Sequence, residues 1–114
     1  PLPPPGQPTD FSVLLNSDGS LTLKWKATNP EGSYNVIYMV QRRLVTENSF
    51  QFVGASGTRE WVDTTLPYGA DGATYIVTAQ RGTTMGAPSL QLNVSFGSVN
   101  GPTVTMLNAP KLAA

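Results

Sequence analysis

Chemistry in this chain has to be done without histidine and without cysteine, since the sequence contains neither. That removes Ser-His and Cys-His nucleophile pairs, thiolate and imidazole zinc sites, and the side chain that most often moves protons near neutral pH. Carboxylates remain. Glu60 and Asp63 stand three apart in Glu60-Trp61-Val62-Asp63, and on a strand an odd spacing sends two side chains to opposite faces, which makes them a poor acid/base pair. Asp63 is better read as a hydrogen-bond acceptor for the corner that follows it. Asp18-Gly19 and Asp71-Gly72 look like fragments of calcium loops. Neither supplies the alternating oxygen ligands and late bidentate acid of such a loop, and turn chemistry accounts for both. No catalytic, cofactor-binding or metal-binding residue is expected, because no nucleophile and base can be brought together.

Seven basic and seven acidic residues cancel, and the longest basic run is Arg42-Arg43. No long-range field draws in a polyanion or an anionic membrane, so nucleic acid is not an expected partner. No apolar run reaches the roughly 18 residues of a membrane helix, and membrane insertion is not expected either. Charged residues make up 12% of the chain, about half the usual ~25%, which leaves a polar surface built mostly from Ser, Thr, Asn and Gln.

The elements that position these residues read as strands throughout. Short runs rich in β-branched and aromatic residues alternate with Gly, Pro, Asn, Asp and Ser clusters, and no segment keeps a helical period. Seven strands are expected: Phe11 to Leu15, Leu21 to Ala27, Tyr34 to Arg43, Phe50 to Val53, Thr58 to Thr64, Thr74 to Gln80 and Leu90 to Phe96. In the second, Leu21, Leu23 and Trp25 share one face, and Trp61 is the obvious core candidate of the fifth. The pattern predicts an all-β protein, a two-sheet antiparallel β-sandwich. Residues 1–8 are expected to form a Pro-rich leader or linker, 9–97 the sandwich, and 98–114 a C-terminal tail in which Thr103 to Leu107 is β-prone enough to add a strand. Pro1 in place of Met points to a processed chain or a domain of a longer one. The last four residues resemble an appended expression scar and are set aside.

These residues resemble a fibronectin type III domain, an immunoglobulin-like sandwich, over roughly Pro8 to Phe96. The resemblance rests on the Pro-rich opening, the Trp of Leu21-Thr22-Leu23-Lys24-Trp25, Tyr38-Met39-Val40 on the third strand, Glu60 to Leu66 leading into a corner, and Ala73 to Gly82 followed by Gly86-Ala87-Pro88-Ser89. Within the family it is most similar to the bacterial variety, whose modules occur in secreted or surface multidomain proteins. One departure stands out. The family usually places a Leu about six residues before the Tyr of the sixth strand, whereas Leu66 and Tyr75 are nine apart. The inserted stretch Tyr68 to Gly72 brings the usual tyrosine-corner hydrogen bond into question.

The resemblance implies a non-catalytic module of a larger extracellular or cell-surface protein, a spacer or protein-interaction domain whose partners are neighbouring domains or another protein. Two regions are candidate contacts. Arg81, Gly82, Thr83, Thr84 and Met85 fall in the loop where fibronectin's cell-binding module carries Arg-Gly-Asp, but Thr83 has no carboxylate to reach a metal ion, so adhesion of that kind is not expected. On the third strand Ile37 and Met39 project outward with Gln41, an apolar patch for a neighbouring domain or a second copy. Two alternatives belong to other classes. An accessory carbohydrate- or polymer-binding domain requires an aromatic row facing solvent, and a self-associating subunit requires the third or the C-terminal strand to pair with another copy.

Overall fold

The computed structural model describes residues 4–29, 35–67 and 72–95, together with the backbone of 103–107. Among the described residues nine strands run in the order β1 (Thr9–Leu15), β2 (Leu21–Lys26), β3 (Val36–Leu44), β4 (Gln51–Ser56), β5 (Glu60–Asp63), β6 (Gly72–Arg81), β7 (Thr84–Met85), β8 (Gln91–Ser95) and β9 (Thr103–Leu107). They form two antiparallel sheets. The smaller has the order β1-β2-β5, and the larger β4-β3-β6-β8-β9, with the short β7 paired to the upper end of β6. The seven expected strands are all present, and the β-prone tail segment is the added strand β9, which pairs with β8 from Gln91↔Leu107 to Ser95↔Thr103.

The core lies between the sheets and follows the alternation of each strand. Leu21, Leu23 and Trp25 from β2 meet Tyr38 and Val40 from β3, Tyr75, Val77 and Ala79 from β6, and Leu92 and Val94 from β8. Fully burying one such Leu or Val contributes about 1.5–3 kcal/mol. Trp25 is the hub: its ring sits 5.9 Å from that of Phe11 and 5.6 Å, edge-on, from that of Tyr38, both within the range of favourable aromatic pairs. Trp61 also points inward, opposite Leu23, but it is only half-buried. Its indole lies across Gly54 of β4, where a Cβ would come 2.5 Å from the ring. Glycine is needed there for close approach, and the Trp61 ring closes the seam between the two sheets.

Residues 4–8, expected as part of a leader, run along the sandwich. Pro5 and Pro8 are buried, the Gly6 amide donates to Asn29 Oδ1 at 2.9 Å, and Gln7 Nε2 donates to the Pro88 carbonyl at 2.9 Å. Pro5 packs so closely on Gly86 that no Cβ fits there. The partner stretch is irregular for a reason visible in the register. Gln80 faces Met85, five residues on, whereas Tyr75 faces Leu92, seventeen on; regular antiparallel pairing would take Tyr75 to residue 90, so two extra residues are absorbed between β7 and β8. Pro88, which has no amide to donate, sits in that stretch. Ser89 repairs the gap: its Oγ accepts from the Val77 amide at 2.9 Å, and its own amide donates to the Val77 carbonyl at 2.9 Å.

Candidate interaction surfaces and a buried polar network

Asp63 ends β5 facing inward, opposite Leu21, with no exposed surface. Its carboxylate is fully occupied. Oδ2 accepts from Arg42 Nη1 at 2.8 Å and from the Tyr75 hydroxyl at 2.6 Å, while Oδ1 accepts from the Thr65 amide at 2.9 Å and the Thr65 hydroxyl at 2.7 Å. Arg42 Nη1 also donates to Thr65 Oγ1 at 3.0 Å. The network joins β5 of one sheet to β3 and β6 of the other, across the lower end of the sandwich. Burial by itself pushes the Asp63 carboxyl up, but the bonds from Tyr75, Thr65 and Arg42 outweigh it and hold the pKa below the ordinary 3.8. Burial, then the hydrogen bond and the negative charge of Asp63, push the Tyr75 phenol far above its ordinary value.

The expectation that Asp63 serves the following corner is met by its two bonds to Thr65. The corner tyrosine behaves differently from its usual form, in which the hydroxyl bonds to nearby backbone upstream. Here the longer spacing from Leu66 goes with a bond to a carboxylate on another strand. Arg42 is the member that sequence reasoning missed. The signal was its parity: two residues after Val40 and four after Tyr38, it shares their inward face, and it is only 9% exposed. Glu60 lies opposite Lys24 on the exposed side, so the two carboxylates of β5 do face apart.

The Asp18-Gly19 turn closes the β1–β2 hairpin. Gly19 has φ +90°, and Asp18 Oδ1 accepts from the Ser20 amide at 3.0 Å and the Ser20 hydroxyl at 2.6 Å; those two bonds lower the Asp18 pKa. Asp71 lies outside the described residues. Among the described residues no group of three His, Cys, Asp or Glu side chains comes together, and no helix is long and apolar enough to cross a membrane.

The two candidate contact regions are brought onto one surface. Arg81 to Met85 forms the β6–β7 hairpin, with Arg81 opposite Thr84 and Gly82 at φ +59° opening a two-residue turn. Gly at the first turn position with positive φ is the type II′ pattern that suits strand twist. Gln80 Nε2 donates to the Gly82 carbonyl at 2.7 Å. Arg81 is half-buried, and Gly82, Thr83, Thr84 and Met85 are exposed. Gln80 faces both Met85 and Ile37, so Ile37, Gln80 and Met85 form one row on the outer face of the larger sheet. Met39 and Gln41 occupy the rows below, half-buried, and Phe52 stands opposite Gln41. Ile37 is 41%, Met85 51% and Phe52 59% exposed. Of the aromatic residues that could form the solvent-facing row of a carbohydrate-binding domain, Tyr38 and Tyr75 are in the core and Trp61 is half-buried, while Tyr34 and Tyr68 lie outside the described residues.

Two stacked antiparallel sheets with this strand order define the chain as an immunoglobulin-like β-sandwich. Solved structures narrow the fold to fibronectin type III. An Fn3-like protein from Clostridium thermocellum superposes with a TM-score of 0.61 at 21% identity, covering 81% of this chain and 93% of that one. A human fourth FNIII domain gives 0.65 at 24%, covering 87% and 84%. The twitchin kinase region of C. elegans gives 0.70 at 19%, with 82% of this chain covered and only 17% of the twitchin chain. This chain thus spans about a sixth of that one. At these identities the likeness is one of fold. No family model matches the sequence, and no curated protein matches it.

Proposed function

We propose that the chain is a non-catalytic module of a larger secreted or surface protein, serving as a spacer or protein-interaction domain. The observation that carries this reading is where its polar chemistry sits. Asp63 is buried with its carboxylate taken by structural donors, whereas the outer face of the larger sheet presents an uncharged row, Ile37, Gln80 and Met85, beside an exposed hairpin tip. Such an arrangement offers contact area and fixed geometry, and among the described residues it brings no nucleophile and base together. The likeness to one part of the multidomain twitchin chain supports the modular half of the reading. Tyr38 and Tyr75 are buried and so cannot contribute to the solvent-facing aromatic row that the polymer-binding alternative requires.

The test is to fractionate source cells into cytoplasm, envelope and medium and probe each with an antibody to this domain. A band much larger than this chain, outside the cytoplasm, is the expected result. A species of this chain's own size, or a cytoplasmic one, would overturn the reading.

A further inference from the structure

At the upper end of the sandwich, away from the Asp63 network, a cleft of about 590 Å³ opens between the start of β3 and the turn that joins β4 to β5. That volume lies within the roughly 300–1,000 Å³ of ligand clefts. Residues 35–38 line one side and residues 57–59 the other, with Asn29 beside them. The turn is held at both ends. Ser56, opposite Tyr38 in the register, accepts through Oγ from the Thr58 amide at 3.0 Å and donates to the Glu60 carbonyl at 2.7 Å. The Arg59 carbonyl accepts from the Trp25 amide at 3.1 Å. Asn29 is spent as well: Oδ1 accepts from the Gly6 amide, and Nδ2 donates to the Tyr38 hydroxyl at 3.0 Å.

Three lining side chains keep unused donors. Tyr38 is 3% exposed, and its hydroxyl accepts from Asn29 but donates to no group among the described residues. A buried donor left without an acceptor is costly and calls for an explanation. Asn35 stands at φ +62°, a left-handed conformation that Asn tolerates better than most residues and that recurs at ligand sites. Its side chain and that of Arg59 are exposed and make no hydrogen bond or ion pair among the described residues. No Asp or Glu lines the cleft, and Glu60, next in sequence to Arg59, stands across from Lys24.

We propose that this cleft binds a carboxylate, carried as a glutamate side chain in an acidic segment of a partner protein. One guanidinium with no second cation beside it matches a single negative charge, which favours a carboxylate over a doubly charged phosphate. Tyr38 and Asn35 add neutral donors, and Val36 and Ile37 offer apolar surface to the methylenes that carry the acid. The held turn means that little ordering has to accompany binding. This rests on the protein-interaction reading above and gives the chemistry of the partner. The two fail separately, because the parent protein is read from cell fractions and the cleft from binding to the isolated chain.

The test is an NMR titration of the 114-residue chain with acetyl-Ala-Glu-Ala-amide. Saturable shifts are expected at the Asn35 side-chain amide, the Thr58 amide and the Arg59 Nε–H, with a dissociation constant on the order of 1–10 mM for a single charged anchor. The Gln analogue of the peptide should move none of them. Acetyl-Ala-Ala-Ala with a free C-terminal carboxylate separates the two sources of acid, and is expected to bind more weakly than the Glu peptide. Arg59→Gln should weaken binding at least about fivefold while keeping the thermal midpoint. Arg43→Gln, which removes a cation at the other end of β3, should leave binding unchanged. No shift by about 50 mM peptide, an equal response to the Gln analogue, or indifference to Arg59→Gln would each overturn the proposal. So would tighter binding of the free C-terminus or of inorganic phosphate.

Discussion

The lower end of the sandwich and the outer face of its larger sheet reverse the usual distribution of side chains. Arg42 and Asp63 are buried at 9% and 0% exposure, while Ile37 and Phe52 stand out at 41% and 59%. Charged groups seldom go inside without a partner, and scattered apolar groups outside are ordinary. The difference teaches what each region needs. At the lower end, two sheets meet where the corner leaves hydrogen-bonding groups to satisfy, and a carboxylate with four donors does that for Thr65, Tyr75 and Arg42 at once. On the outer face the buried hydroxyl of Thr74 is met locally by Asn93 Oδ1 at 2.6 Å, and the apolar side chains of Ile37 and Phe52 stand clear of it in solvent.

The strongest way to break this contrast is Asp63→Asn. It removes the charge that compensates buried Arg42, and breaking one side of a buried pair costs about 3–5 kcal/mol, a large part of a typical domain's 5–15 kcal/mol. Urea denaturation should show a loss of unfolding free energy of that size; a change under about 1 kcal/mol would mean that the network is dispensable. Tyr75→Phe keeps the ring and deletes one hydrogen bond to a charged acceptor, so a loss of about 1.5–3 kcal/mol is expected in the same assay. Gly54→Ala probes the seam between the two sheets, where the new methyl meets the Trp61 ring; overpacking of this kind costs about 1–3 kcal/mol and should change the tryptophan fluorescence.

Acid offers a reversible version of the first experiment. The folded Asp63 has a lower pKa than the unfolded one, so its contribution is fully present above the unfolded value, near 3.8, and disappears as pH falls through the folded value. Stability measured across that window should fall less steeply in Asp63→Asn than in the parent. Smallest of all should be Ile37→Thr with Met39→Thr, within about 0.5 kcal/mol for each site; a loss of several kcal/mol would show that the outer face belongs to the folding core after all.

Much of this was legible beforehand because strand alternation carries it. The parity of Leu21, Leu23 and Trp25 marks a face, the odd spacing of Glu60 and Asp63 separates them, and the acceptor role of Asp63 follows from its place before a corner. Arg42 could be found by the same parity, but its pairing with Arg43 reads as a solvated basic dipeptide, and only the cross-sheet position of Asp63 explains its burial. That Ile37 and Met85 share a row depends on the register of β3 against β6, which is set by contacts far apart in sequence. The packing of Pro5 and Pro8 was hidden for a similar reason: proline signals an extended chain and says nothing of what lies beside it.

β9 has a mechanical consequence. β8 runs away from the end where residues 5–8 meet the sandwich, and β9 turns back alongside it. Tension applied from the Leu107 side therefore loads the pairs one at a time, first Gln91↔Leu107 and last Ser95↔Thr103, as a zipper opens, rather than all together in shear. Peeling those five residues releases about 17 Å of chain at ~3.4 Å each while the β2–β3–β6 core keeps its contacts. Under such a load β9, held to the sheet only through β8, is therefore expected to part before the core does.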